Sequence, residues 1–118
     1  MDVFCKIINN EIPSYTLYED NIVKVFLDVN PSHNGHTLIV PKKHYQDFFD
    51  IDIEVLNHIL KIAKQIAELL KEKLNYDGIS LCENNGFGQE VKHFHLHLIP
   101  KYKKEEKLSV EEVYSRLK

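Results

Sequence analysis

The sequence predicts an α+β fold: an antiparallel five-stranded meander sheet with one long helix on one face, short terminal helices, and a two-fold dimer as the assembled form. Three observations carry that prediction. Five short runs rich in β-branched and aromatic residues are bounded by turn formers. A single stretch, Asp52 to about Leu74, repeats its apolar residues at helical spacing. One run, His93 to Ile99, alternates imidazole with apolar side chains at the period of a strand. At 118 residues the chain is the size of one domain, 1–118, with length enough for a core without disulfide or metal staples.

Taken in order, Phe4, Ile7 and Ile8 form a short helical stripe that Pro13 halts. Thr16–Glu19 and Ile22–Leu27 flank Asp20-Asn21, residue types suited to a tight hairpin. Turn formers cluster from Asn30 to Gly35, and His36–Val40 reads as a third strand stopped by Pro41. The long helix presents Val55, Leu56, Ile59, Ile62, Ala63, Ile66, Leu69 and Leu70, with Asp52 as its N-cap and Asn75-Tyr76-Asp77-Gly78 as its exit. Leu60, Ala67 and Leu74 widen that apolar face beyond what one sheet can cover, which points to a partner subunit. Ile79–Cys82 is a fourth strand, expected to pair with the histidine strand across Asn84-Asn85-Gly86-Phe87-Gly88. Ser109 followed by Glu112 has the capping-box pattern and starts a short C-terminal helix through Leu117.

Composition narrows the function. The two cysteines, Cys5 and Cys82, are too few for a disulfide framework and point to a reducing cytosol. No secretory leader or membrane-spanning run is visible, so a cytoplasmic protein without membrane contact is expected. A net charge of -3 without a basic stripe excludes the usual electrostatics of nucleic-acid binding, which leaves a small nucleotide held in a pocket.

The alternation places His93, His95 and His97 on one face and Phe94, Leu96 and Leu98 on the other. At a rise of roughly 3.3 Å per residue the outer two Cα atoms lie about 13 Å apart, a spread suited to a phosphate chain rather than to convergence on one metal. A zinc hydrolase using two of the histidines and a third ligand from elsewhere is the rival reading. Histidine is not a favoured filler of successive strand positions, which argues against surface decoration. The glycines of Gly86-Phe87-Gly88 give the preceding loop backbone N–H groups that can cup an anion.

The triad His-φ-His-φ-His-φ-φ, complete from His93 to Ile99, resembles the motif of the histidine-triad superfamily, φ being apolar. The resemblance spans nearly the whole chain. It runs from Phe4-Cys5-Lys6-Ile7-Ile8 through Glu11-Ile12-Pro13-Ser14 and the segment from Gly35-His36 to Val40-Pro41-Lys42-Lys43-His44, and it is strongest toward the Hint branch of nucleotide-binding proteins. That resemblance implies a homodimeric hydrolase of purine nucleoside 5'-phosphoramidates, with no cofactor. His95 would attack the α-phosphorus to form a nucleotidyl-histidine. His97 and the backbone at Gly88, Gln89 and Glu90 would hold phosphate oxygens, with Asn84 and His36 nearby and His93 orienting the nucleophile. Asp28 would accept the ribose hydroxyls, and Phe4, Ile7, Phe26, Val29 and Leu38 would receive the purine. A neutral imidazole with its other nitrogen held by an acceptor can attack phosphorus, and an imidazolium beside it can protonate an amine, so the borrowed roles are chemically coherent. Alternatives within the same resemblance are a dinucleoside-polyphosphate hydrolase and a nucleotide-sensing scaffold with vestigial hydrolysis. Two departures stand out. Asp2 occupies a position where zinc-binding relatives carry the first of two cysteines, which leaves a weakened structural zinc set of Asp2, Cys5, His44 and His93. The loop before the triad is also shorter than usual around Asn84.

Overall fold

The computed structural model describes residues 2–118. Helix α1, Val3–Ile8, is capped by Asp2, whose Oδ1 accepts the Cys5 N–H at 2.8 Å. Strand β1, Thr16–Glu19, turns into β2, Val23–Leu27, around Asp20, whose carboxylate accepts the Ile22 and Val23 N–H groups at 2.8 Å each. Strand β3, Thr37–Pro41, pairs antiparallel with β2 over its whole length. Helix α2, Ile53–Leu74, follows, and Asn75 ends it in the left-handed conformation with its N–H on the Lys71 carbonyl at 2.9 Å. Strands β4, Gly78–Cys82, and β5, Leu96–Lys101, form the second hairpin. Helix α3, Val110–Leu117, begins at Ser109, whose Oγ accepts the Glu112 N–H at 3.1 Å.

The sheet order is β1-β2-β3-β5-β4, so the last two strands exchange places relative to a strictly sequential meander. The exchange follows burial. Strand β5 carries Leu96, Leu98 and Pro100 inward and sits centrally, whereas β4, with Leu81 52% exposed, tolerates the edge. Beneath α2, Val25, Leu27, Ile39, Phe94, Leu96 and Leu98 pack with Ile59, Ile62, Ile66 and Leu70 as the main core. Phe4, Ile7, Phe26, Leu38 and Val40 form a second cluster on the opposite face. Buried Lys24 ties α1 to that face: its Nζ donates to the Ile7 carbonyl at 3.0 Å and to Asn10 Oδ1 at 3.1 Å.

Two expectations change. Asp52 stands at the N-cap of α2 but makes no side-chain cap hydrogen bond; its Oδ2 accepts the hydroxyl of buried Tyr45 at 3.0 Å instead. Regular strand geometry begins only at Leu96, so His93 and His95 lie on the segment leading into β5 and His97 alone is within the strand. Hydrogen bonds outside the ladder occupy that segment: the Phe94 N–H donates to the Tyr45 carbonyl at 2.7 Å, and the His93 carbonyl receives the His95 ring at 2.8 Å. The predicted division of faces survives nonetheless, with Phe94, Leu96 and Leu98 in the main core and His95 against Phe4 of the second cluster. Among the described residues no helix is long and apolar enough to cross a membrane.

Candidate active site

The three triad rings do not share one task. His95 Nδ1 lies 2.8 Å from the His93 carbonyl oxygen, an acceptor, so the proton sits on Nδ1 and the Nε2 lone pair is free. His36 Nδ1 accepts the Ser32 backbone N–H at 3.2 Å, which places its proton on Nε2. That N–H donates to His97 Nδ1 at 2.9 Å, and His97 is left with Nε2 as its second nitrogen. Asp28 Oδ2 stands 3.6 Å from His36 Nε2 and steadies the donor end of this relay. Burial disfavours the charged ring at His95, His36 and His97, and for His97 it combines with the neighbouring histidines to bring the pKa down to about 4.

His95 and His97 line two adjoining clefts. The larger, about 310 Å³, is apolar and takes in Phe4, Ile7, Phe26, Val29 and Leu38 together with Asp28 and Glu90, so all five residues expected around a purine converge there. The second, about 220 Å³, is polar and is lined by Asp28, Asn30, His36, Asn84, Gly88 and Glu90. The shortened loop thus still delivers Asn84 to the site. Gly88 is held at a φ of +97°, a conformation that L side chains rarely adopt. Gln89 departs from its expected place. It is buried and lines neither cleft: its N–H closes a turn on the Gly86 carbonyl at 2.9 Å, and its Nε2 donates to the Gln46 carbonyl. Its amide is committed within the turn, and its role is to brace the loop. His93 orients the nucleophile as expected, though through its backbone carbonyl and not through its ring. Ser32, Asn30 and Val91 are site residues that pattern reasoning missed; the first two lie in the Asn30–Gly35 turn cluster, whose only visible signal was turn chemistry.

The His93 ring points elsewhere. Fully buried, it donates from Nε2 to the Pro41 carbonyl at 2.8 Å and turns Nδ1 toward Asp2 Oδ2 at 3.2 Å and Cys5 Sγ at 3.6 Å. His44 Nδ1 completes the group, 3.2 Å from Asp2 Oδ2 and 3.8 Å from Cys5 Sγ. A tetrahedral zinc with ordinary bond lengths separates its N, O and S ligands by about 3.3–3.6 Å, so these four donors already stand at the edges of such a tetrahedron. The Pro41 carbonyl is the outer partner a metal-bound imidazole needs. A second group, Asp28, His36 and His97, is close enough to hold an ion but is already satisfied internally, since the His36 and His97 donor atoms bond each other. The three triad histidines thus do not converge on one metal as a zinc hydrolase would require.

Residues 9–104 match the model of the HIT domain. An uncharacterized HIT-like protein of Methanocaldococcus jannaschii is 51% identical over 104 residues, covering 86% of this chain and 80% of its own length. The adenosine 5'-monophosphoramidase HNT1 of Saccharomyces cerevisiae is 45% identical over 101 residues, which cover 84% of this chain and 61% of that protein. The crystal structure of a zinc-bound histidine triad family protein from Mycobacterium smegmatis superposes with a TM-score of 0.89 at 32% identity, covering 98% of this chain and 88% of that one. Fold, triad and relatives agree on one class, proteins that present a row of histidines from an antiparallel sheet. The chain belongs to the HIT family.

Proposed function

We propose that this chain hydrolyses purine nucleoside 5'-phosphoramidates through a covalent nucleotidyl-histidine. The observation that carries the reading is the His95 ring, pinned by Nδ1 to the His93 carbonyl with Nε2 free beside an apolar cleft of nucleoside size. With the purine among Phe4, Ile7, Phe26 and Leu38 and the ribose hydroxyls on Asp28, the α-phosphate falls beside His95 and His97. The Nε2 lone pair attacks phosphorus, the P–N bond breaks, and the amine departs with a proton. His97 Nε2 is placed to deliver that proton once the negative charge of the bound phosphate has drawn one onto the ring. Water then attacks the P–N bond of the adduct, releasing the nucleoside monophosphate and returning His95 to its starting state. The named activity of the yeast relative supports the same class of substrate.

The Asp2, Cys5, His44 and His93 cluster fits a zinc ion of structural kind. Bound there, zinc would cross-link the start of α1 to the segments bearing His44 and His93, remote from the transferred phosphorus.

The test is hydrolysis of an adenosine phosphoramidate by wild type and by His95→Asn. The expected outcome is loss of turnover by more than a thousandfold, on the order of 4 kcal/mol of barrier, with AMP affinity kept and a nucleotidyl adduct captured by mass spectrometry on the wild type alone. Turnover by folded His95→Asn within about tenfold of wild type would remove the nucleophile from the mechanism.

A further inference from the structure

The polar cleft through which a leaving group must depart has an unbalanced charge. Asp28 and Glu90 line it, and among the described residues no lysine or arginine lines either it or the apolar cleft. The nearest basic residue along the loop, Lys92, is turned away, its Nζ donating to the Gly86 carbonyl at 3.0 Å. Asp28 is engaged, accepting the Asn30 N–H at 2.8 Å and facing His36, whereas Glu90 is exposed at the junction of the two clefts with its carboxylate available. The two carboxylates both act electrostatically on His95, so they lie within range of the reacting centre.

An anionic leaving group entering this cleft meets two carboxylates and no fixed cation. A cationic one meets the reverse. We infer that Glu90 is a specificity-determining residue that selects leaving groups carrying a positive charge, an amine with a second ammonium a few bonds from the phosphoramide nitrogen, and that it disfavours polyphosphate leaving groups. This deepens the phosphoramidase reading and rests on it. The carboxylate would pair with the distal ammonium while His95 displaces the near nitrogen, and the pairing is lost when the amine departs.

The experiment compares kcat/KM for adenosine phosphoramidates of a short diamine and of a matched monoamine, together with diadenosine tetraphosphate, at neutral pH. Wild type should favour the diamine substrate relative to Glu90→Gln by about tenfold, the size expected of one partly solvated charge pair. The comparison between proteins cancels any intrinsic difference in reactivity between the two amines. In wild type the preference should shrink as salt is added, a readout that does not depend on the variant's folding. Glu90→Lys should raise the relative turnover of diadenosine tetraphosphate. A preference unchanged in Glu90→Gln of wild-type melting temperature, or insensitive to salt in wild type, overturns the role of Glu90 and leaves the phosphoramidase reading standing. Cleavage of diadenosine tetraphosphate with no turnover of either phosphoramidate overturns both.

Discussion

Each site histidine has one ring nitrogen committed to a neighbour, and the identity of that nitrogen decides what the other can do. For His95 the committed atom is Nδ1 and the free one a nucleophile; for His97 the committed atom is again Nδ1, on His36. Burial keeps these rings neutral, which is the state an attacking imidazole needs. The unfolded chain titrates its histidines near 6.5, while folded His97 titrates at about 4. Between those values the unfolded state binds more protons, so this ring's contribution to stability is complete above 6.5 and is lost as the pH falls through the window toward 4. The acid limb of kcat/KM, which reports the free protein, should correspondingly lie below 6.5. A pH–rate profile with its acid limb centred at or above 6.5 would contradict the lowered values.

At the scale of elements, two junctions position the site. Gly35 closes the turn before β3 with a φ of +88°, and a Cβ there would approach Leu74 Cδ1 to 2.6 Å and Pro100 Cγ to 3.3 Å. Both the backbone and the contact with the end of α2 therefore call for glycine. Gly35→Ala should lower stability by about 1–3 kcal/mol, measured by urea unfolding, and weaken the placement of adjacent His36. A change below about 0.5 kcal/mol would show that Leu74 yields without cost. The second junction is the Asp2, Cys5, His44 and His93 cluster, which joins α1 to the segments carrying the other two donors. Zinc at about a hundredfold above its dissociation constant should stabilise the wild type by about 2.7 kcal/mol, visible as a rise in Tm that Cys5→Ala abolishes. Chelation should leave phosphoramidate turnover in place, because the cleft chemistry uses imidazoles and amides. A Tm blind to zinc would show that Asp2 in place of a thiolate is too weak a donor.

The whole molecule leaves apolar surface uncovered. Ala63 and Leu70, which widen the apolar face of α2 in the sequence, lie in the protomer's own core, so the surplus is smaller than the periodicity implies. Ile53 is still 68% exposed and Leu60 44%, and edge strand β4 presents Leu81. A two-fold dimer that covers these positions is the proposed assembly. Sedimentation at micromolar concentration should show a species near twice the 13.9 kDa chain mass, and Leu60→Asp should shift it toward the monomer. Wild type sedimenting as a monomer throughout that range would leave these side chains as ordinary exposed surface.

What consecutive residues could determine, they did. Alternation separated the histidine face from the core face, the three-and-four spacing marked α2, and Asp20, Asn75 and Ser109 announced their turns and caps, because periodicity and capping are properties of neighbours in the chain. The triad pattern, read with the loop and the Gly35–His44 segment, was enough to indicate the family. Strand order, the commitment of each ring nitrogen, the withdrawal of Gln89 and the departure of the His93 ring from the cleft were decided only by tertiary structure. Their partners are remote: His36 meets His97 across 61 residues, and Asp2 meets His93 across 91. A ring's tautomer depends on which carbonyl or amide the fold brings to it, and a strand's place in the sheet depends on how much apolar surface it has to bury against α2. No local pattern encodes either.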